Sequence, residues 1–203
     1  TIDGNTLRSS SQNSTLEAIS QNTAGVYVTG RGAQHNVANG ATGGIYVRGL
    51  GGRPNSQVLV VEDGIPDFQG IFGHPIPDAY VPFLIEDILV VKGGDSVLYG
   101  TNAMGGVIVI RNRWRRTDGY ELHNDLSFGT FSTARESVSA LGRQGNKDAA
   151  AAFTAFHSKG HRAGAGGDTQ VGHLAFRYRF RNQWRIEFRN KLMHLEGEDP
   201  GPV

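Results

Sequence analysis

Apolar and polar positions follow two different patterns along this chain, and the change comes after Arg111. Before it, short β-branched runs are separated by glycines. Ile85, Ile88, Val90 and Val91 end at Gly93-Gly94, which predicts a short strand running into a turn. Asp95-Ser96 suits the cap of a following turn, to which Val97, Leu98 and Tyr99 add apolar contacts. Gly100 and Gly105-Gly106 interrupt the chain again before Val107-Ile108-Val109-Ile110, a run suited to a buried strand. Residues 85–111 are therefore expected to form a tight β-loop-β unit around which the first half is organised. Thr15 to Ser20 reads as one short amphipathic helix, with Ser14 as N-cap and Glu17 three residues on. Residues 1–14 are polar and read as a loop or arm. Strands containing Arg48 and Asp63 are expected to be joined by a turn through Gly51-Gly52-Arg53-Pro54-Asn55. Residues 67–82 form a long loop, and loops of that length in compact domains are usually functional or disordered.

After Gly119 the pattern becomes strict alternation. Tyr120, Leu122, Leu126 and Phe128 share one face, and Glu121, His123, Asp125 and Ser127 the other. Leu174, Phe176, Tyr178 and Phe180 alternate with His173, Arg177 and Arg179. Trp184, Ile186 and Phe188 alternate with Arg185, Glu187 and Arg189. Weaker strands fit 134–141 and 149–157. Segments of about ten residues with one apolar and one charged face fit a transmembrane β-barrel. Standing alone, they favour a water-soluble antiparallel sheet that buries its apolar face. The links at 142–148 and 181–183 are short and the one at 158–170 is longer, as expected where short turns alternate with longer loops.

Composition narrows the choice. The net charge is +1, which gives no field for nucleic acid, and cysteine is absent, which removes disulfides and thiolate metal sites. Glycine, at 29 residues, favours turn-rich β structure over a helical bundle. There is no run of 18 apolar residues to make a transmembrane helix. No G-x-S-x-G elbow, Walker motif or dinucleotide glycine motif lies between strand and helix, so no enzyme and no cofactor is expected. His157 and His161 lie where a strand runs into a loop, and His74 with Asp67 or Asp78 is a poor donor set, so no metal site is expected.

The run IEDILVVKGGDSVLYGTNAMGGVIVI resembles the plug-domain signature of TonB-dependent outer-membrane receptors, roughly I-E-R-I-E-V-V-R-G-P-x-S-x-L-Y-G-x-x-A-x-G-G-V-I-N-I. Ile85-Glu86, Val90-Val91, Gly93, Ser96, Leu98-Tyr99-Gly100, Ala103, Gly105 to Ile108 and Ile110 match in register. Asp87, Leu89, Lys92, Gly94 and Val109 depart from it. Ile45 to Leu50 and Val58 to Pro66 resemble the family's R-G and D-G-x-P strands at the family's spacing. The resemblance implies an α+β plug domain with a small mixed sheet, short helices and long loops over 1–113. A linker at 114–118 and the opening strands of an outer-membrane barrel over 119–203 would follow. A plugged transporter has about 22 strands and this chain has room for roughly five, so a fragment of a larger barrel is expected.

By resemblance, the function would be active uptake of a scarce ligand, most commonly a ferric siderophore or other metal chelate, across the bacterial outer membrane. The partners would be TonB, the ligand and outer-membrane lipid. A docking or adhesion receptor of the same architecture, or a soluble β-rich binding module, remains open. Three loops are candidate ligand-facing apices, 34–43, 51–56 and 67–78, with Phe68, Gln69, Phe72 and His74 on the third and Arg53 and His35 on the others. Aromatic and amide groups on exposed loops suit an apolar or chelated ligand, though each also suits simple packing against the barrel. Arg48, Lys92 and Glu86 are the expected plug–barrel latch. In the family, arginines at the first two positions pair with glutamates of the barrel wall. Lys92 lacks the planar fork for bidentate carboxylate binding, and an ordinary surface pair is the alternative.

Overall fold

The computed structural model describes residues 1–201 apart from 11, 13, 36–42, 53–56, 68–74, 94–97 and 182. The chain opens with β1 (Ile2–Asp3) and α1 (Gly4–Arg8), followed by α2 (Thr15–Asn22). β2 (Val26–Gly30), β3 (Gly43–Val47) and β4 (Leu50–Gly52) make a small antiparallel sheet in sequence order. β5 (Val58–Glu62), β6 (Ile65–Pro66), β7 (Ile85–Lys92) and β8 (Gly106–Asn112) join β1 in a mixed sheet of order β1-β7-β8-β5-β6. β7 and β8 pair antiparallel, as the glycine-punctuated signature predicts, while β5 and β8 run parallel. β8 is the central strand, covered on both faces, which explains its nearly unbroken β-branched run.

Side chains of β5 and β8 feed two cores by alternation. On one face Val58, Val60, Ile108 and Ile110 meet Leu16 and Ile19 of α2 and Ile45 and Val47 of β3. On the other, Leu59, Val61 and Val107 meet Ala103. Ser14 caps α2 as expected, its hydroxyl accepting the Glu17 N–H at 3.1 Å. Two expectations are corrected. Residues 1–10 are not a loose arm: Ile2 pairs opposite Ile88, and Asp3 caps α1 by accepting the Asn5 N–H. Two apolar residues in a polar run, Ile2 and Leu7, are enough to seat it, and both are buried. Gly51 and Gly52, expected in the turn joining the Arg48 and Asp63 strands, lie in β4, while 53–55 of that turn are outside the described residues; β3 turns into β4 at Arg48-Gly49, where φ is 52° and 83°. Asp63-Gly64 repeats the geometry at 52° and 86°. Positive φ at both central residues is the type I′ turn that matches strand twist, so the R-G and D-G pairs are the turns themselves.

The second half is one antiparallel sheet of β9 (Gly119–Gly129), β10 (Thr133–Gln144), β11 (Lys147–Ser158), β12 (Gly167–Arg179) and β13 (Arg185–Gly197), paired in sequence order. Its links at 130–132 and 145–146 are short, that at 159–166 is longer and that at 180–184 lies between. Its faces are the reverse of a soluble sheet. Tyr120, Leu122, Phe128, Trp184, Ile186 and Phe188 point outward, Tyr120 being 82% exposed. Inward stand Ser137, Ser139, Asp148 and His173, all buried. A sheet stable in water would turn these faces round, so the soluble alternative does not describe it.

The outward apolar band also crosses the hydrogen-bonded rows obliquely. Its centre moves from the row of Asn124 on β9 to the row of Tyr120 on β13, four residues over four strand-to-strand steps. An apolar band lies level in a bilayer, so the slant is the strand tilt and stagger that barrel closure requires.

Truncating Ile108 to alanine, at a site with no solvent exposure, is expected to destabilise the N-terminal unit by about 2–5 kcal/mol. Denaturant unfolding followed on that unit checks this. Truncating the outward Ile186 should leave the same transition unmoved.

Candidate functional site

The N-terminal unit lies against the inward face of the five-stranded wall, and the contact is built in three parts. An apolar patch comes first: Val81 and Leu84 pack on Leu141, Ala150, Ala152, Val171 and Ala175, with Trp114 and Met193 at its border. The small alanines let the unit approach the wall closely.

The second part is ionic. Glu62, at the end of β5, Asp63, in the following turn, and Asp67, just beyond β6, face Arg189 and Lys191 on alternate inward positions of β13. Arg189 meets Asp63 at 2.7 Å, and Lys191 meets Glu62 at 2.7 Å and Asp67 at 3.5 Å. Asn112 at the end of β8 ties the acids together. Its backbone N–H donates to Asp63 at 2.8 Å, and its side-chain amide donates to Asp63 at 2.7 Å and Glu62 at 2.8 Å. Burial pushes the Asp63 carboxyl up from its ordinary value, although Asn112 and Arg189 pull the other way. The Tyr80 hydroxyl donates to Asp67 at 2.6 Å. Burial and the neighbouring Asp67 charge raise the phenol well above its ordinary value, so it stays a donor. Lys191 also sits 5.0 Å from the Tyr80 ring centre. The Trp114 ring lies 4.4 Å from the Arg177 guanidinium and 5.0 Å from that of Arg189, pinning the connecting segment to the wall.

The third part lies at the end away from that segment. The Gln34 amide donates to the Asp168 carbonyl at 2.7 Å and the Thr169 hydroxyl at 2.6 Å, and the Ala33 N–H donates to the Ala165 carbonyl at 2.8 Å. Arg31 pairs with Asp199. The start of the 34–43 loop is thereby fixed at the mouth formed by the 159–166 link.

Of the expected apex residues, Phe68, Gln69, Phe72, His74 and Arg53 lie outside the described residues. The base of the third loop is described. The Asp67 carboxylate accepts the Ile76 N–H at 3.1 Å and stands 3.5 Å from the Lys191 ammonium. His35 departs from its expected place on an exposed apex, being 3% exposed. Its N–H donates to Asp78 at 2.9 Å, its ring lies 3.1 Å from the same carboxylate, and Glu17 is 3.5 Å away. Burial alone would lower its pKa, but the two acids outweigh that and hold it at about 10. It is a buried clamp between the loop start and α2.

The wall glutamates that would pair with Arg48 and Lys92 are expected beyond residue 203, and within this chain the three latch residues have other surroundings. Arg48 is exposed in its turn, and the Lys92 ammonium donates to the Ala24 carbonyl. Glu86 pairs with Arg116 of the connecting segment at 2.7 Å. None of the three makes an ion pair to β9–β13 among the described residues. The Asp63–Arg189 and Glu62–Lys191 pairs set acids of the N-terminal unit against bases of the wall, while Arg113 pairs with Glu121 of β9 in the other sense. The alternate spacing of Arg189 and Lys191 on one face was visible in sequence, but their partners over a hundred residues upstream were not.

A family model for the TonB-dependent receptor plug domain matches residues 1–107. No curated protein matches the chain. Among solved structures, the copper transporter OprC is similar at a TM-score of 0.75 and 17% identity, over 94% of this chain and 29% of that one. The pyoverdine outer membrane receptor FpvA from Pseudomonas aeruginosa PAO1 is similar at a TM-score of 0.67 and 16% identity, over 88% of this chain and 25% of that one. The siderophore receptor PirA from Pseudomonas aeruginosa gives a TM-score of 0.67 and 20% identity, over 96% and 33%. The chain thus spans a quarter to a third of the length of these proteins, and at such identities the likeness is one of fold.

Two outcomes follow from the geometry. Arg189→Met strands Asp63 and is expected to cost about 3–5 kcal/mol, the range for removing one partner of a buried pair, whereas Arg48→Met should cost little. Unfolding of the two variants in parallel measures the difference. The His35 pKa is raised in the fold, so its contribution is fully present below about 6.5 and is lost as pH rises through about 10. Hydrogen exchange of α2 should therefore quicken across that window beyond the intrinsic rise, and His35→Gln should abolish the extra change.

Proposed function

The chain belongs to the TonB-dependent receptor plug-domain family, and from that premise we propose that it takes part in active uptake of a scarce ligand across the bacterial outer membrane. The family is one of receptors and transporters, not enzymes. In this proposal residues 1–113 are the plug, 114–118 the linker, and the strands from 119 onward begin the barrel. The ligand is a ferric siderophore or other metal chelate, in keeping with the siderophore and copper proteins that share the fold.

One observation carries the proposal: the wall turns aromatic and aliphatic side chains outward and charges inward, and the N-terminal unit supplies the opposite charges. Only lipid outside and a polar filling inside suit that arrangement. β9 and β13 each keep one unpaired edge among the described residues. Free backbone groups are not tolerated in hydrocarbon, so further strands pair with both edges in the closed barrel.

Gating follows from the same contacts. The unit bars the lumen at rest. Ligand binds at the mouth, on the apices that begin at Gln34 and Asp67. TonB then engages the unit by strand addition, a general mode of peptide recognition, and force from the proton gradient parts the ionic contact at Asp63 and Glu62.

Cells expressing the receptor are expected to accumulate labelled ferric chelate only while the proton gradient is intact. Accumulation that survives its dissipation would reject TonB-dependent uptake, and binding without any accumulation would point to a docking receptor. Replacing residues 69–74 with a Gly-Ser linker is expected to weaken chelate binding. Unchanged affinity would remove that loop from the ligand site.

A further inference from the structure

The outward face of the wall is not uniformly bulky. Near the connecting segment, one cross-strand row reads Tyr120, Gly142, Ala149, Phe176 across β9 to β12. Two small residues on the middle strands therefore lie between two rings. Nothing stands within 4 Å of the position a Gly142 Cβ would occupy. Tyr120 and Phe176 are three strand spacings apart, about 14 Å, and the furrow between them has a volume of about 740 Å³. That falls in the range of small-molecule sites, yet it opens sideways, away from the lumen.

Its mouth is polar. Gln144 and Lys147 lie on the next row, beside Tyr178 and Ile186, and both line the furrow's end. Lys147 is exposed and has no ion-pair partner among the described residues. Two carboxylates also line the furrow: Asp118 receives the Gly145 N–H at 3.0 Å and stands 3.9 Å from Arg143, and Asp148 is paired with Arg177 at 2.6 Å and with Arg179. Trp184 and Tyr120 mark the same end of the wall, and aromatic girdles of this kind sit at headgroup level. The furrow is thus continuous with the lipid-facing band and ends in an unneutralised cation at the depth of the phosphates.

We propose that this furrow seats a glycerophospholipid, with an acyl chain over Gly142 and Ala149 and its phosphate on the Lys147 ammonium. The proposal rests on the barrel reading above, but assigns a discrete lipid site rather than general solvation by the bilayer. Short turns face the periplasm in such barrels, and the 145–146 link is the shortest here, which puts the site in the inner leaflet of the outer membrane. The apolar walls match the chain and the Lys147 ammonium matches the phosphate, so the two halves of the ligand meet the two halves of the site.

The test is native mass spectrometry of the intact receptor carrying this chain, purified in mild detergent and titrated with phosphatidylglycerol. Gly142→Leu, which fills the furrow, is expected to remove one bound lipid. Lys147→Gln is expected to weaken the same site about fivefold, the order for one lysine near an anionic headgroup. Gly172→Leu is the control. It also faces outward with open space above it, outside the furrow, and is expected to keep the full complement. Equal lipid occupancy in all forms, or equal loss in the two leucine variants, overturns the proposal. If Gly142→Leu fails to assemble, Lys147→Gln against the parent decides it, unchanged affinity being the adverse result. Heat-modifiable migration of each form reports barrel assembly separately. A receptor that never enters membranes would defeat the functional reading, whereas an assembled barrel without this site defeats only the lipid assignment.

Discussion

Arg189 and Lys191 stand on the inward face of β13, largely covered by the N-terminal unit. Glu62, Asp63 and Asp67 meet them. Much of the architecture serves that encounter. The Asp63-Gly64 turn exists because its residues accept positive φ, and the turn carries Asp63 outward from the mixed sheet to the wall. β8, buried at the centre of that sheet, ends in Asn112, whose amide holds two of the acids in place. The chain then leaves through Trp114, clasped by Arg177 and Arg189. The core, the turn, the acids and the connecting segment thus converge on one place.

Contacts of this type separate differently from an apolar seam. A large apolar interface resists separation in proportion to its area, whereas charges can be re-hydrated as water enters. The apolar portion here is small, with Val81 and Leu84 set on alanines and a few larger side chains. Burial pushes the Asp63 carboxyl up while Asn112 and Arg189 pull it down, so this contact joins opposing influences at one group. His35 acts differently. Enclosed by Asp78 and Glu17, it keeps the loop start joined to α2, which ties the mouth of the wall to the core of the plug.

Much of this was legible in the sequence. The alternation after Gly119 marked the strands and their faces because side-chain period two is a local property. The run at 85–111 marked β7 and β8 by β-branched stretches bounded by glycines, and Ser14 with Glu17 marked the start of α2. What stayed hidden depends on partners remote in sequence. Ile2 looked like one apolar residue in a polar arm until it met Ile88. The R-G pair was legible as a motif but not as a hairpin turn, since that depends on where β4 returns. Arg48 and Lys92 attracted attention through resemblance, while the pairing of Asp63 with Arg189 required knowing which face of β13 the plug covers. His35 read as an exposed loop residue because nothing in its neighbourhood of glycines and polar residues announces Asp78 as a partner.

The inversion of the wall is tested most directly by lipid-quenching of single fluorescent labels placed along residues 186–192 of the receptor in bilayers. Brominated lipid should quench labels at 186, 188 and 192 and spare those at 187, 189 and 191, a period of two in phase with the outward side chains. Quenching without period, or with the phase reversed, would contradict a wall that faces lipid outside and the plug within.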